Sequence, residues 1–127
     1  LIDHISIGVR DLETMTRFYE SVLSLLGYTK LQVQPGTVGF GKRYSEFWLN
    51  HRPDRAIAEH DSGLHIALRA ASTQAVDEFY QAALQAGGSS DGAPGFRPEY
   101  REGYYAAFIR DPEGNRIEAV TFLSVKQ

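Results

Sequence analysis

Apolar and polar residues alternate at the start of the chain. Ile5, Ile7 and Val9 fall between His4, Ser6 and Gly8, the period of a strand with one buried face. The period then changes: Leu12, Met15, Tyr19, Val22, Leu23 and Leu26 share one helical stripe. Asp11 stands ahead of that stripe, placed to accept from the free N–H groups of a first turn. Gly27 follows it, where a left-handed C-terminal residue is wanted. Alternation returns in three short segments, about 28–34, 37–41 and 44–50, separated by Pro35-Gly36 and Lys42-Arg43 turns.

The same order then recurs. His4-Ile5-Ser6-Ile7 aligns with His65-Ile66-Ala67-Leu68 at an offset of 61, and the offset holds without a gap. It carries Phe18-Tyr19 onto Phe79-Tyr80, Leu23 onto Leu84 and Gly27 onto Gly88, which a duplication explains economically. In the second copy Ser72 takes the capping place, Val76, Phe79, Tyr80, Ala83 and Leu84 form the stripe, and Gly87-Gly88 ends it. Strands are expected at about 103–110 and 115–122, joined as a hairpin by Asp111-Pro112-Glu113-Gly114, with Pro and Gly where a type I turn favours them. The Gly-, Pro- and Ser-rich stretch 89–102 holds only a weak strand signal. The expected class is α+β: two βαβββ modules, about 1–51 and 62–127, joined by a polar linker at about 51–61. Neither could bury its stripe and sheet face alone, so both should pack as one domain.

Composition narrows the partners. Charged residues make up 23% of the 127 and the formal net charge is −3; no basic stripe invites nucleic acid. No apolar run reaches the roughly 20 residues that span a bilayer. The absence of cysteine removes thiol nucleophiles and zinc ribbons, and with no leader at the start the expectation is a cytoplasmic protein acting on a small molecule.

Candidate chemistry comes from strand faces. His4 lies opposite Ile5 and Ile7, so it points away from the helix, and His65 does likewise by the repeat. Either alone reads as an ordinary surface or core imidazole. At equivalent places of a duplication, a pseudo-two-fold axis brings them toward one centre. Glu46 and Glu118 sit in the largely apolar closing strands of the two copies, at what look like matching places, and a carboxylate there is costly unless exposed, paired or bound to a cation. Two imidazoles with one or two carboxylates suit Zn, Ni, Mn, Co or Fe(II) without choosing among them. Alternation adds Ser6 to the face of His4, Tyr44, Trp48 and Asn50 to that of Glu46, Ala67 and Arg69 to that of His65, and Val120 and Phe122 to that of Glu118. His51 and His60 read as surface residues of the linker.

The run Asp3-His4-Ile5-Ser6-Ile7-Gly8-Val9-Arg10-Asp11-Leu12, with Phe18-Tyr19 after it, resembles the opening of vicinal-oxygen-chelate (glyoxalase/dioxygenase) proteins. Gly63-Leu64-His65-Ile66-Ala67 is similar to their second metal strand, and Asp111-Pro112-Glu113-Gly114-Asn115-Arg116-Ile117-Glu118 to their closing motif. The resemblance implies a half-open, eight-stranded mixed β barrel around a metal cavity. It implies one divalent ion on His4, His65 and Glu118 with Glu46 as fourth ligand, and commonly a homodimer. It also sets the 92–102 loop and Tyr104-Tyr105 near the cavity mouth, where Arg97 and Tyr100 would grip a substrate anion and Tyr105 would line the pocket; Arg101 reads as a solvated loop residue.

Four activities follow from the resemblance. A glyoxalase-like lyase or isomerase, with Glu118 and Glu46 as catalytic carboxylates, is the leading expectation. Asn50 matches a glutathione-contacting Asn of glyoxalase I, while Gly8 stands where that enzyme carries an Arg. An extradiol-type Fe(II) dioxygenase would use His4, His65 and Glu118, but no additional acid/base histidines are evident. Thiol transfer to fosfomycin uses three similar ligands, but no potassium-binding loop is visible. A bleomycin-resistance-like protein would sequester its ligand without metal or chemistry.

Overall fold

The computed structural model describes residues 1–56 and 61–124; His60 lies outside them. Strand β1 (Ile5–Val9) leads into helix α1 (Leu12–Leu23), a short 3-10 turn (Ser24–Leu26), and strands β2 (Thr29–Gln34), β3 (Thr37–Gly41) and β4 (Ser45–His51). The second copy follows as β5 (Ile66–Arg69), α2 (Thr73–Gln85), β6 (Ser89–Phe96), β7 (Tyr104–Arg110) and β8 (Arg116–Phe122). The weakly signalled strand in 89–102 is thus formed. Among the described residues no helix is long and apolar enough to cross a membrane.

Local chemistry explains the helix ends. Asp11 Oδ1 accepts from Thr14 N at 3.1 Å and Ser72 Oγ from Ala75 N at 3.1 Å, satisfying N–H groups that a first turn leaves free. Gly27 and Gly87 take φ of +84° and +105° at the far ends, a region in which a Cβ is costly.

The strands form two four-stranded mixed sheets, ordered β1-β4-β3-β2 and β5-β8-β7-β6. In each, the first strand runs parallel to the last and the others are antiparallel. The eight strands are therefore two sheets, and among the described residues no hydrogen-bonded ladder joins β1 to β5.

One core serves both modules. Met15, Phe18, Tyr19, Val22 and Leu23 of α1 meet Val76, Phe79 and Ala83 of α2, with Phe47, Leu49, Ile109 and Ile117 supplied by the sheets. Phe18 and Tyr19 pack edge to face at 5.0 Å, and Tyr19 stacks at 5.0 Å on Phe47. The buried Tyr19 hydroxyl donates to Asp111 Oδ2 at 2.5 Å across the modules. Asp111, 3% exposed, also accepts from Asn115 Nδ2 and the backbone N–H groups of Glu113 and Asn115. Burial, the largest influence, pushes its carboxyl above the ordinary range despite these donors. Glu113, beside it in the same turn, accepts from the Arg10 and Asp11 N–H groups at the entry to α1. The β7–β8 turn, expected only to close a hairpin, also fastens one module to the other.

Candidate functional site

The faces turned away from the helices carry the expected chemistry. In β4, Phe47 and Leu49 are buried while Glu46, Trp48 and Asn50 between them are half-buried. His4 and Ser6 are exposed, as are His65, just ahead of β5, and Ala67 and Arg69 on it. Strand β8 is closed on both sides: Ile117 and Ala119 pack inward, and Glu118 on the other face is only 1% exposed.

His4, Glu46 and His65 line one open cleft of ≈ 420 Å³ with Asp3, Tyr28 and Leu64, so the two imidazoles share a cleft as the repeat requires. The four expected ligands do not converge, however: among the described residues no three His, Asp or Glu side chains gather at metal-holding distance. What does converge is His65 Nε2 with Glu118 Oε1, 3.1 Å apart. His4 instead sets Nδ1 2.8 Å from its neighbour Asp3, whose second oxygen accepts from Tyr44. These contacts lower the Asp3 carboxyl below its ordinary range, the His4 bond being the largest cause.

Strand register gives one reason. Ile5 pairs with Phe47, which sets His4 level with Glu46. In the second sheet Ile66 pairs with Ile117 and Ala67 with Glu118, so Glu118 lies two residues beyond His65. The two carboxylates are not at matching places of the duplication, and the side chains of His65 and Glu118 meet on the diagonal.

Tyr104 completes the second half-site. Its hydroxyl donates to the other oxygen of Glu118 in a very short bond. Burial, followed by the Glu118 contact, pushes the phenol up to about 12, so it remains a donor through the neutral range. This residue has no role in the sequence reading, although the hairpin turn carries a signal for the face it occupies. With Arg110 opposite Arg116, counting back along β7 reaches Tyr104 opposite Phe122 and Phe108 opposite Glu118. The same count places Tyr105 on the helix side, opposite Thr121. There it donates to Asp77 of α2 at 2.6 Å, so the expectation that Tyr105 lines the pocket is corrected.

The remaining pocket residues divide. Trp48 lies over Gly39, its Cζ3 2.8 Å from where a Cβ would stand. Asn50 Oδ1 accepts from Thr37. Tyr100 packs on Tyr104 at 5.2 Å and helps to line a cavity of ≈ 120 Å³ with His65, Asp91, Phe108 and Arg116. Arg97 is turned inward, donating to the Ala93 carbonyl at 2.6 Å and lying over Phe108, which leaves less of its fork for a substrate than the loop reading expected. Arg101 is not a free loop cation; its guanidinium lies 3.9 Å from the Phe122 ring centre. Over Gly8 pass the stems of Arg52 and Arg55, each 3.3 Å from where a Cβ would stand, so these two occupy the space a larger residue there would need. His51 is exposed, as expected.

The comparisons agree with this architecture. In curated sequence, the chain is 27% identical over 122 residues to a protein of Brassica oleracea var. gemmifera named "Putative lactoylglutathione lyase", matching 92% of this chain but spanning only 43% of that longer protein. Among solved structures, a glyoxalase/bleomycin resistance protein from Albidiferax ferrireducens T118 superposes with a TM-score of 0.80 at 29% identity, covering 93% of this chain and 95% of its own. A fosfomycin resistance protein from Mesorhizobium loti shares the fold alone, with a TM-score of 0.70 at 21% identity over 94% of this chain and 90% of that one. The profile of the Glyoxalase/Bleomycin resistance protein/Dioxygenase superfamily matches residues 1–119, and with the paired βαβββ modules and the His65–Glu118 half-site already described, the chain belongs to that superfamily.

Proposed function

We propose that the chain is a metal-dependent, glyoxalase-like enzyme of lyase or isomerase type, acting on a small substrate that chelates through oxygen. The observation that carries this reading is the buried Glu118 carboxylate with His65 Nε2 3.1 Å from it. A carboxylate so buried, with no Lys or Arg paired to it among the described residues, is well suited to a cation. The donor set fits one divalent ion, from Zn, Ni, Mn, Co or Fe(II): His65 and Glu118 would hold it, and His4 and Glu46 on the shared cleft would complete it. Two copies of the chain with β1 and β5 edges brought together are the assembly in which such a cavity closes, and a homodimer is part of the proposal.

Bound there, the ion supplies Lewis acidity toward substrate oxygens. The chain supplies the rest. Tyr104 fixes Glu118 in one orientation, so Glu118 is a holding group. Glu46 has no side-chain hydrogen bond among the described residues and faces the cleft, which suits it to take a proton from substrate carbon and return it. Ile5, Tyr28 and Leu64 give the cleft its apolar walls.

Adding Zn, Ni or Mn to metal-stripped protein, followed by turnover of glutathione hemithioacetal and related dicarbonyl adducts, tests the reading. A raised melting temperature with turnover that Glu46→Gln abolishes is expected. No affinity for any of these ions would overturn it. A second reading, a protein that sequesters its ligand without chemistry, is favoured by the lack of any three His, Asp or Glu side chains at metal-holding distance among the described residues; it predicts tight ligand binding indifferent to metal.

A further inference from the structure

We infer that Arg69, Phe122 and Arg101 form a binding site for the anionic end, carboxylate or phosphate, of the ligand whose oxygen atoms are held at His65 and Glu118. The inference rests on the proposed function for what sits at the other end, but the anion site itself stands on its own geometry.

Two guanidiniums share one ring. The Arg69 guanidinium carbon lies 4.4 Å from the Phe122 ring centre and that of Arg101 3.9 Å. Arg69 comes from the end of β5, and Arg101 from the turn in which Arg97 O accepts from Tyr100 N. Both side chains are exposed, so water screens their mutual repulsion and leaves both charges available to an anion. Neither side chain has a carboxylate partner among the described residues. Arg17, Arg55, Arg110 and Arg116 each lie within 4.0 Å of one; what sets Arg69 and Arg101 apart from the other arginines is the ring they share. Cation–π contact with a ring engages a guanidinium through its face and leaves its N–H edge free. That edge is the fork that carboxylate and phosphate oxygens match through two parallel hydrogen bonds.

Place and chemistry agree. Phe122 is four residues beyond Glu118 on β8, and Arg69 four beyond His65 on the parallel β5. Both ends of the site therefore lie on the same pair of strands, roughly 13 Å apart at about 3.3 Å per residue. Tyr104 spans the interval, its hydroxyl on Glu118 and its ring packed edge-on against Phe122 at 5.3 Å. The ligand class is thus an extended molecule with an oxygen-rich head and an anionic tail. Arg97, tied to the Ala93 carbonyl, is not the tail's anchor.

The test uses metal-stripped protein, so that the anion site is read apart from the metal. Titration calorimetry with inorganic phosphate and with glutarate should show saturable binding to the unaltered chain. Arg69→Gln and Arg101→Gln should each weaken it roughly tenfold, the scale of one charge-assisted hydrogen bond. Phe122→Leu, which keeps both charges and removes the ring, should weaken it less. Arg52→Gln, an equal loss of charge at the linker, should leave it unchanged. Preference for phosphate or for glutarate identifies the tail. No saturable binding of either, or an Arg52→Gln loss as large as that of Arg69→Gln, would overturn the inference. Zn titration of the same preparations reads the proposed function separately: anion binding without Zn binding keeps this site and removes the metal, and the reverse result removes this site alone.

Discussion

Glu118 is held by a phenol on one oxygen and an imidazole on the other, in a strand whose two faces are both covered. Removing the phenol leaves an acceptor that water cannot readily reach. Tyr104→Phe should therefore cost about 1–3 kcal/mol, read as a lower urea midpoint at unchanged slope; an unchanged midpoint would mean that this bond adds nothing to the fold. Asp111 gives a second single-residue expectation, with a definite sign. Its folded carboxyl titrates above the unfolded value because of burial. Between those two values the folded chain binds a proton that the unfolded chain has released. The stability this group contributes is thus fully present below the unfolded pKa and is lost as pH rises through the folded one. Asp111→Ala should remove that slope. It should also cost roughly 2 kcal/mol or more at neutral pH, because the buried Tyr19 hydroxyl loses its acceptor. Chemical denaturation across the acid range measures both.

At the level of elements, the two helices begin alike but are not fastened alike. Ser72 caps α2 within its own module, whereas the entry to α1 is held by Asp11 and also by Glu113 from the other module. Ser72→Ala should cost about 1 kcal/mol, the usual worth of a cap. Glu113→Ala releases three short contacts to the Arg10 and Asp11 N–H groups and should cost more, about 1–3 kcal/mol. Urea melts of the two variants check the order, and a reversed order would mean that the turn does not tie the modules together. The turn also sets the register of β7 on β8. That register puts Tyr104 on the face of Glu118, where its hydroxyl reaches the carboxylate, and sends Tyr105 to α2, so one element supports both the packing and the site.

For the whole molecule, two sheets back onto one shared helical core and turn their polar faces outward, leaving β1 and β5 as strand edges. Unpaired edges invite a partner strand, and light scattering should accordingly report twice the 14.2 kDa chain; a single-chain mass at working concentration would refute the dimer. An ion that binds only the native fold raises its stability by about 2.7 kcal/mol at a hundredfold excess over Kd. That gain should survive His51→Ala and disappear in Glu118→Ala, as followed by melting with and without Zn.

Periodicity by itself determined both helices and every strand but β6, whose Gly-, Pro- and Ser-rich sequence carries little of it. A stripe at i, i+3 and i+4 or an alternation of apolar residues is a local property, and so are the caps at Asp11 and Ser72. The repeat fixed the duplicated architecture, and the alternation in β4 sets Glu46 and Trp48 opposite the buried Phe47 and Leu49. What alternation does not contain is how far one strand slides along its neighbour. That offset set Glu118 two residues past His65, and the hairpin turn decided between Tyr104 and Tyr105. The pairing of Arg69 and Arg101 on Phe122 joins three distant stretches of chain, so only packing brings it about. The cleft that His4 and His65 share is likewise tertiary, because it depends on how two modules dock through α1, α2 and the Asp111–Gly114 turn.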